Sequence, residues 1–203
     1  MITAVYGGSF NPPHLGHRSA VDTINREIAP DRILIMPDYR APHKEMAENT
    51  PTPEQRLKMC ELAFGDAAGV EISELEIRRG GRSYTVDTMT ELTQMYPDDK
   101  FLLVVGSDML KSFTTGWYRF EDILKMCALT VMSREGDDID ELKRCAEYLK
   151  SNFAARVDLI LNHKSIVISS SRIREALISN DGNTLAYLNP EVLSYIRNNR
   201  LYV

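Results

Sequence analysis

Residues 7–18 read Gly-Gly-Ser-Phe-Asn-Pro-Pro-His-Leu-Gly-His-Arg, and no other run constrains the fold as tightly. Before it stands Ile2-Thr3-Ala4-Val5-Tyr6, short and rich in β-branched residues, the pattern of a buried strand. After it, Ala20, Val21, Ile24 and Ile28 recur at helical spacing. A strand that meets a glycine pair and then opens a helix sets free amides beyond the strand's carboxyl end, where α/β proteins hold phosphate. Gly7 and Gly8 let the backbone approach a bulky polyanion with no Cβ in the way, and Ser9 and Phe10 continue the turn. Pro12 and Pro13 keep any helix from running through the segment. His14 and His17, three apart, share one face of the opening helical turn. Imidazole N–H groups beside the positive end of a helix suit charge that builds on a phosphoryl oxygen. Metal ligation is the competing reading, but only His43 and His163 remain, and no carboxylate or cysteine stands nearby at ligand spacing. A dinucleotide fingerprint would need glycines spaced G-x-G-x-x-G, which are absent.

The rest of the chain alternates in the same way. Helices are predicted over about Leu15–Ala29, from the Thr52-Pro53-Glu54-Gln55 start signal, over Ser83–Tyr96, Phe120–Met126, Asp138–Asn152, Ser170–Ser179 and Pro190–Asn198. Strands are predicted at Arg32–Met36, Val70–Ile77, Phe101–Val105, Ala128–Met132 and Val157–Leu161. Residues 38–52 show no periodicity and read as a lid or binding loop. The fold class expected is α/β: a Rossmann-like, doubly wound, mostly parallel sheet of five to six strands, helices on both faces and a helical C-terminus. Residues 1–203 carry no linker, repeat or low-complexity segment, so one domain is expected.

A formal net charge of −5 argues against a general nucleic-acid binder, so an anionic substrate must be held by a local cluster of donors. The 3 cysteines, Cys60, Cys127 and Cys145, form no C-x-x-C pair and read as reduced thiols of a cytoplasmic protein. No charged-then-apolar leader opens the chain and no apolar run approaches membrane-spanning length, so no membrane partner is expected. The sequence allows a homo-oligomer without specifying one.

A second phosphate-type element lies far along the chain. Ile168-Ser169-Ser170-Ser171-Arg172-Ile173-Arg174 follows a strand-like run and opens a helix. Serine hydroxyls and free amides at a helix start accept a polyphosphate, and Arg174, one turn in, can fork onto the same anion. A plain serine cap followed by exposed arginines is the alternative for this element taken alone. Two anion sites around one sheet would grip a nucleoside triphosphate from both sides.

Together these runs resemble the H-x-G-H and I-S-S-x-x-R signatures of the nucleotidyltransferase superfamily. The chain as a whole resembles the bacterial nicotinate-nucleotide adenylyltransferases. The resemblance is carried by Gly8–His14, Pro42-His43-Lys44, Thr52-Pro53 with Arg56, Ser83–Thr88, Gly106-Ser107-Asp108 with Trp117, Tyr195-Ile196 and Leu201-Tyr202. It implies transfer of the adenylyl group of ATP to nicotinate mononucleotide with release of pyrophosphate, and Mg²⁺ brought with ATP. It implies catalytic roles for His14, His17 and Arg174, and ATP contacts from Gly7, Gly8, Ser9, Phe10, His14, His17, Ser169, Ser170, Ser171 and Arg174. For the acceptor it implies Lys44, Tyr84, Thr85, Asp108, Trp117 and Arg134. The chemistry of these types agrees. Trp117, the only tryptophan, offers a face for a flat pyridine ring, and amides at a helix start near Thr85 suit a small carboxylate. Asp108 can accept ribose hydroxyls, and Lys44 carries charge to the acceptor phosphate. Each has an ordinary structural alternative: a core tryptophan, helix capping at Ser83 or Thr85, a solvated loop lysine, a charged turn at Arg134. Between Asp108 and Trp117 the family commonly has a tyrosine, and residues 109–116 here contain none. Transfer to nicotinamide mononucleotide or phosphopantetheine, and a nucleotide-binding module without turnover, are the competing functions.

Overall fold

The computed structural model describes residues 1–42, 49–134, 136–161 and 166–202. Six parallel strands form one sheet: β1 (Ile2–Gly8), β2 (Arg32–Pro37), β3 (Val70–Ile72), β4 (Lys100–Gly106), β5 (Cys127–Met132) and β6 (Val157–Ile160). Their order across the sheet is β3-β2-β1-β4-β5-β6. The strand order therefore reverses between β1 and β4, which pair with Val5 opposite Leu103 and Tyr6 opposite Val104. In an open α/β sheet this reversal leaves a crevice at the carboxyl ends of the two strands. β2 and β5 are buried along their whole length, as strands covered on both faces must be.

One face is covered by α1 (Leu15–Glu27), α2 (Pro53–Phe64), α9 (Ser170–Ser179) and α11 (Pro190–Asn198), whose Ile24, Phe64, Ile173 and Ile196 join one apolar cluster. The other is covered by α4 (Thr85–Met95), α7 (Phe120–Met126) and α8 (Ile139–Phe153), through Met89, Ile123 and Leu142. The sequence signals for α2 hold in full: Thr52 Oγ1 accepts from the Gln55 amide and Gln55 Oε1 from the Thr52 amide.

The fold departs from the sequence reading in several places. The alternation at Val70–Ile77 predicts one strand, yet β3 ends at Ile72 and Leu75–Arg79 is a helix, α3. Ser73 Oγ accepts the Leu75 amide and opens a turn, and Glu76 is buried on Thr88. A period of two over so few residues cannot exclude a short helix. Residues 107–116, given no element in the sequence reading, form α5 (Ser107–Lys111) and α6 (Phe113–Gly116), anchored by the fully buried Phe113. The run before Ser169 makes no strand among the described residues, and α10 (Gly182–Leu185) has no clear sequence signal.

Candidate active site

Two clefts open at the carboxyl ends of β1 and β4. The larger, of about 820 Å³, is lined by Gly7, Gly8, Ser9, His14 and His17 from the first motif and by Ser169, Ser170, Ser171 and Arg174 from the second. The smaller, of about 460 Å³, is lined by Tyr84, Thr85, Trp117 and Tyr118. Gly7, Gly8, Ser9, Val104 and Met109 line both, so the clefts adjoin across the glycine turn. Both volumes are those of small-molecule sites.

In the larger cleft, residues 158 to 163 positions apart are hydrogen-bonded. Ser170 Oγ donates to the Pro12 carbonyl at 2.9 Å, and Arg174 Nη1 donates to the Asn11 carbonyl at 2.7 Å. Arg174 Nη2 donates to Ser171 Oγ at 3.0 Å, which spreads the guanidinium across the start of α9. Ser169 is the N-cap of that helix, its hydroxyl accepting the Arg172 amide. A Cβ on Gly16 would lie 2.9 Å from the Ile166 carbonyl and 3.0 Å from the His14 ring, so the second motif can seat against α1 only over a glycine. His14 is the N-cap of α1, and its ring stacks on His17 with centroids 3.7 Å apart. Burial pulls the His14 imidazole down to about 4, so it is neutral at pH 7, while its own backbone hydrogen bond opposes the shift. Tyr6 lines the same cleft, and burial pushes its phenol up to about 12 against the opposing charge of Arg134.

The smaller cleft has an aromatic wall and a polar end. Trp117, half-buried, lies 4.8 Å from Phe113, and Tyr84 and Tyr118 pair at 5.0 Å. Tyr84 is the N-cap of α4, so the first amides of that helix, at Thr85 and Val86, have no intrahelical acceptor. At the back sits Glu76, whose carboxyl accepts from Thr88 Oγ1. Burial raises its pKa, and hydrogen bonds from Thr88 and Ser83 and the charge of Arg79 work in the opposite direction.

The placements also depart from the sequence reading. Phe10 lines neither cleft. Its ring is 2 % exposed and packs edge-on against Tyr6, His17 and Phe64, at a backbone φ of 43°. Asp108 and Arg134, assigned to the acceptor, line the larger cleft and pair with each other at 3.2 Å. Lys44 lies outside the described residues.

The sequence reading gave no role to the group that holds the glycine turn. Arg56, fully buried, donates to the carbonyls of Ser9, Asp38 and Tyr39 at 2.7 to 2.9 Å and to Asp38 Oδ1 at 3.0 Å. Ser9 Oγ donates to the other oxygen of the same carboxylate at 2.6 Å. The signal was present, since Arg56 shares one face of α2 with Cys60 and Ala63.

Comparison with known proteins gives a consistent result. The family model described as cytidylyltransferase-like matches residues 5–176. The chain belongs to the cytidylyltransferase-like family. Among relatives, it is 35% identical over 175 residues to a probable nicotinate-nucleotide adenylyltransferase of Fusobacterium nucleatum, covering 86% of each chain. To one from Citrifermentans bemidjiense it is 32% identical over 217 residues, covering 100% of this chain and 99% of that one. In fold, this cytidylyltransferase-like chain is similar to a Plasmodium falciparum nicotinic acid mononucleotide adenylyltransferase complexed with NaAD. The TM-score is 0.78 at 20% identity, covering 98% of this chain and 96% of that one.

Proposed function

We propose that this protein transfers the adenylyl group of ATP to nicotinate mononucleotide, giving nicotinate adenine dinucleotide and pyrophosphate in NAD biosynthesis. One observation carries the reading: a cleft rich in phosphate donors and a cleft walled by aromatic rings share the Gly7-Gly8-Ser9 turn. ATP occupies the first and the mononucleotide the second, so the acceptor phosphate and the α-phosphorus meet at the glycines.

An oxygen of the acceptor's 5′-phosphate attacks the α-phosphorus in line. A new P–O bond forms, the bond from the α-phosphorus to the bridging oxygen breaks, and pyrophosphate leaves with that oxygen. The nucleophile is already an anion at neutral pH, so no general base is needed and catalysis is positioning plus electrostatic stabilisation. His17 contacts the α-phosphate, and the neutral His14 supplies a ring N–H without added charge. Arg174 and Ser169–Ser171 hold the departing β- and γ-phosphates. Gly7, Gly8 and Ser9 pass the backbone beneath the triphosphate. Asp108 and Arg134, at the mouth of the ATP cleft, exchange their mutual ion pair for contacts to the nucleotide.

In the second cleft Trp117 stacks on the pyridine ring. Tyr84 and Thr85 present the first turn of α4 to the nicotinate carboxylate, where the helix dipole favours an anion over an amide. Among the described residues no group of three or more His, Cys, Asp or Glu could hold a metal ion. On this reading Mg²⁺ is brought to the site with ATP.

Pyrophosphate release tests the reading, with ATP and a panel of nicotinate mononucleotide, nicotinamide mononucleotide and phosphopantetheine. Release is expected with the first and much less with the others. No release with either pyridine nucleotide would defeat the reading, and tight ATP binding without turnover would favour a sensing module.

A further inference from the structure

The Leu201-Tyr202 pair, close to the end of the given sequence, is absent from both clefts. Its position is nonetheless well defined. The Leu201 amide donates to the Ile196 carbonyl at 3.0 Å, closing the chain back onto α11, and Tyr202 follows at a φ of 65°. The ring is 7 % exposed and belongs to the apolar cluster beneath α1, α2 and α11. Its hydroxyl alone reaches toward the chemistry. It donates to Asn11 Oδ1 at 2.6 Å, across 191 residues of chain.

Asn11 is the residue whose main-chain carbonyl receives Arg174 Nη1 at 2.7 Å, and it lines the larger cleft. The three residues form one chain of contacts: phenol to side-chain amide, main-chain carbonyl of that amide's residue to guanidinium, guanidinium to Ser171. Asn11 lies in a turn between Phe10 and Pro12, and Pro12 brings no N–H to that peptide, so a constraint on its plane must come from elsewhere. The tether from Tyr202 supplies that constraint from the side. Burial raises the Tyr202 pKa, with the charges of Arg174 and Arg56 opposing, so the phenol is a neutral donor at any working pH.

We propose that Tyr202 is a positioning residue for adenylyl transfer: through Asn11 it fixes the carbonyl that aims Arg174 at the departing phosphates. The proposal rests on the reading of the larger cleft as the ATP site. It assigns a purpose to a tyrosine that touches no substrate and sits nearly a full chain length from the turn it holds.

The test compares wild type, Tyr202→Phe, Asn11→Ala and the double variant. Phenylalanine keeps the ring in the core and removes only the donor. The KM for ATP is expected to rise about three- to tenfold in Tyr202→Phe, the range of one hydrogen bond. The KM for nicotinate mononucleotide should stay near wild type. The double variant should be no worse than Asn11→Ala, since both changes cut the same link. A second readout needs no turnover: the rise in melting temperature that a non-hydrolysable ATP analogue gives to wild type should shrink in Tyr202→Phe.

An unchanged KM for ATP, equal rises for both substrates, or additive losses in the double variant would each overturn the proposal. So would a fall in melting temperature with the analogue-induced rise intact, which marks a packing role alone. If Tyr202→Phe does not fold, the same split is read from Asn11→Ala, which leaves the core untouched. Wild type that releases no pyrophosphate would defeat the functional reading instead, while the analogue measurement would still decide the Tyr202 link.

Discussion

His14 and His17 lie ring on ring, their planes 25° from parallel, and the His14 amide donates to His17 Nδ1 at 3.2 Å. That bond uses the lone pair on Nδ1, so the proton of a neutral His17 ring sits on Nε2. The first turn of α1 thereby sets the tautomer of the ring that the mechanism assigns to the α-phosphate. His17→Ala is expected to lower turnover about 10²- to 10³-fold, the usual loss for one donor aimed at developing charge. Pyrophosphate release under saturating substrates checks this, and turnover near wild type would remove His17 from the mechanism.

The partner ring predicts a pH dependence. His14 is held at about 4 where a free histidine titrates at 6.5, so between those values the unfolded chain binds a proton that the folded chain refuses. The stability that the neutral ring brings is complete above about pH 6.5 and is lost as pH falls towards 4. Urea unfolding between pH 7 and 4.5 should show this slope, reduced in His14→Asn. Nuclear magnetic resonance of the imidazole should show no protonation above about pH 5, and a midpoint near 6.5 would contradict the burial argument.

Trp117 gives a substrate-specific outcome. Its removal as Trp117→Ala should raise the KM for the pyridine nucleotide about 10- to 100-fold, since stacking on one aromatic is worth about 1–3 kcal/mol. The KM for ATP should be little changed, because Trp117 lines only the smaller cleft. Equal rises for both substrates would show that the ring supports the fold and not the acceptor.

Arg56 gives a stability outcome. Arg56→Met removes the partner of the Asp38 carboxylate and of three carbonyls at once. A cost of about 3–5 kcal/mol is expected for breaking a buried pair from one side. Denaturant unfolding checks it, and a loss below about 1 kcal/mol, the median for exposed pairs, would show that water reaches the site.

Much of this architecture was legible in the sequence, for physical reasons. The strands with continuous apolar runs, such as Phe101–Val105, could be read because both faces are covered, and α2 because Thr52 and Gln55 each accept a terminal amide while Pro53 brings none that needs a partner. The starts of α1 and α9 could be read because helix-start signals act locally. What stayed hidden depends on contacts far apart in sequence. Glu76 stands in a stretch that alternates like a strand, and only the fold brings Thr88 and Ser83 to it. Asp108 and Arg134 have the same residue types wherever they point, and only the sheet places them in the larger cleft.

The turn shared by the two clefts has a further consequence at Gly7. The residue is in the extended strand β1, a conformation open to any amino acid, and a methyl group built on it would come no closer to a neighbour than the Met36 carbonyl at 3.9 Å. Neither the backbone nor the packing of the chain itself asks for glycine here. On the proposed reading, a substituent here would stand in the turn that both clefts share, leaving a chain that folds yet holds its two reactants apart.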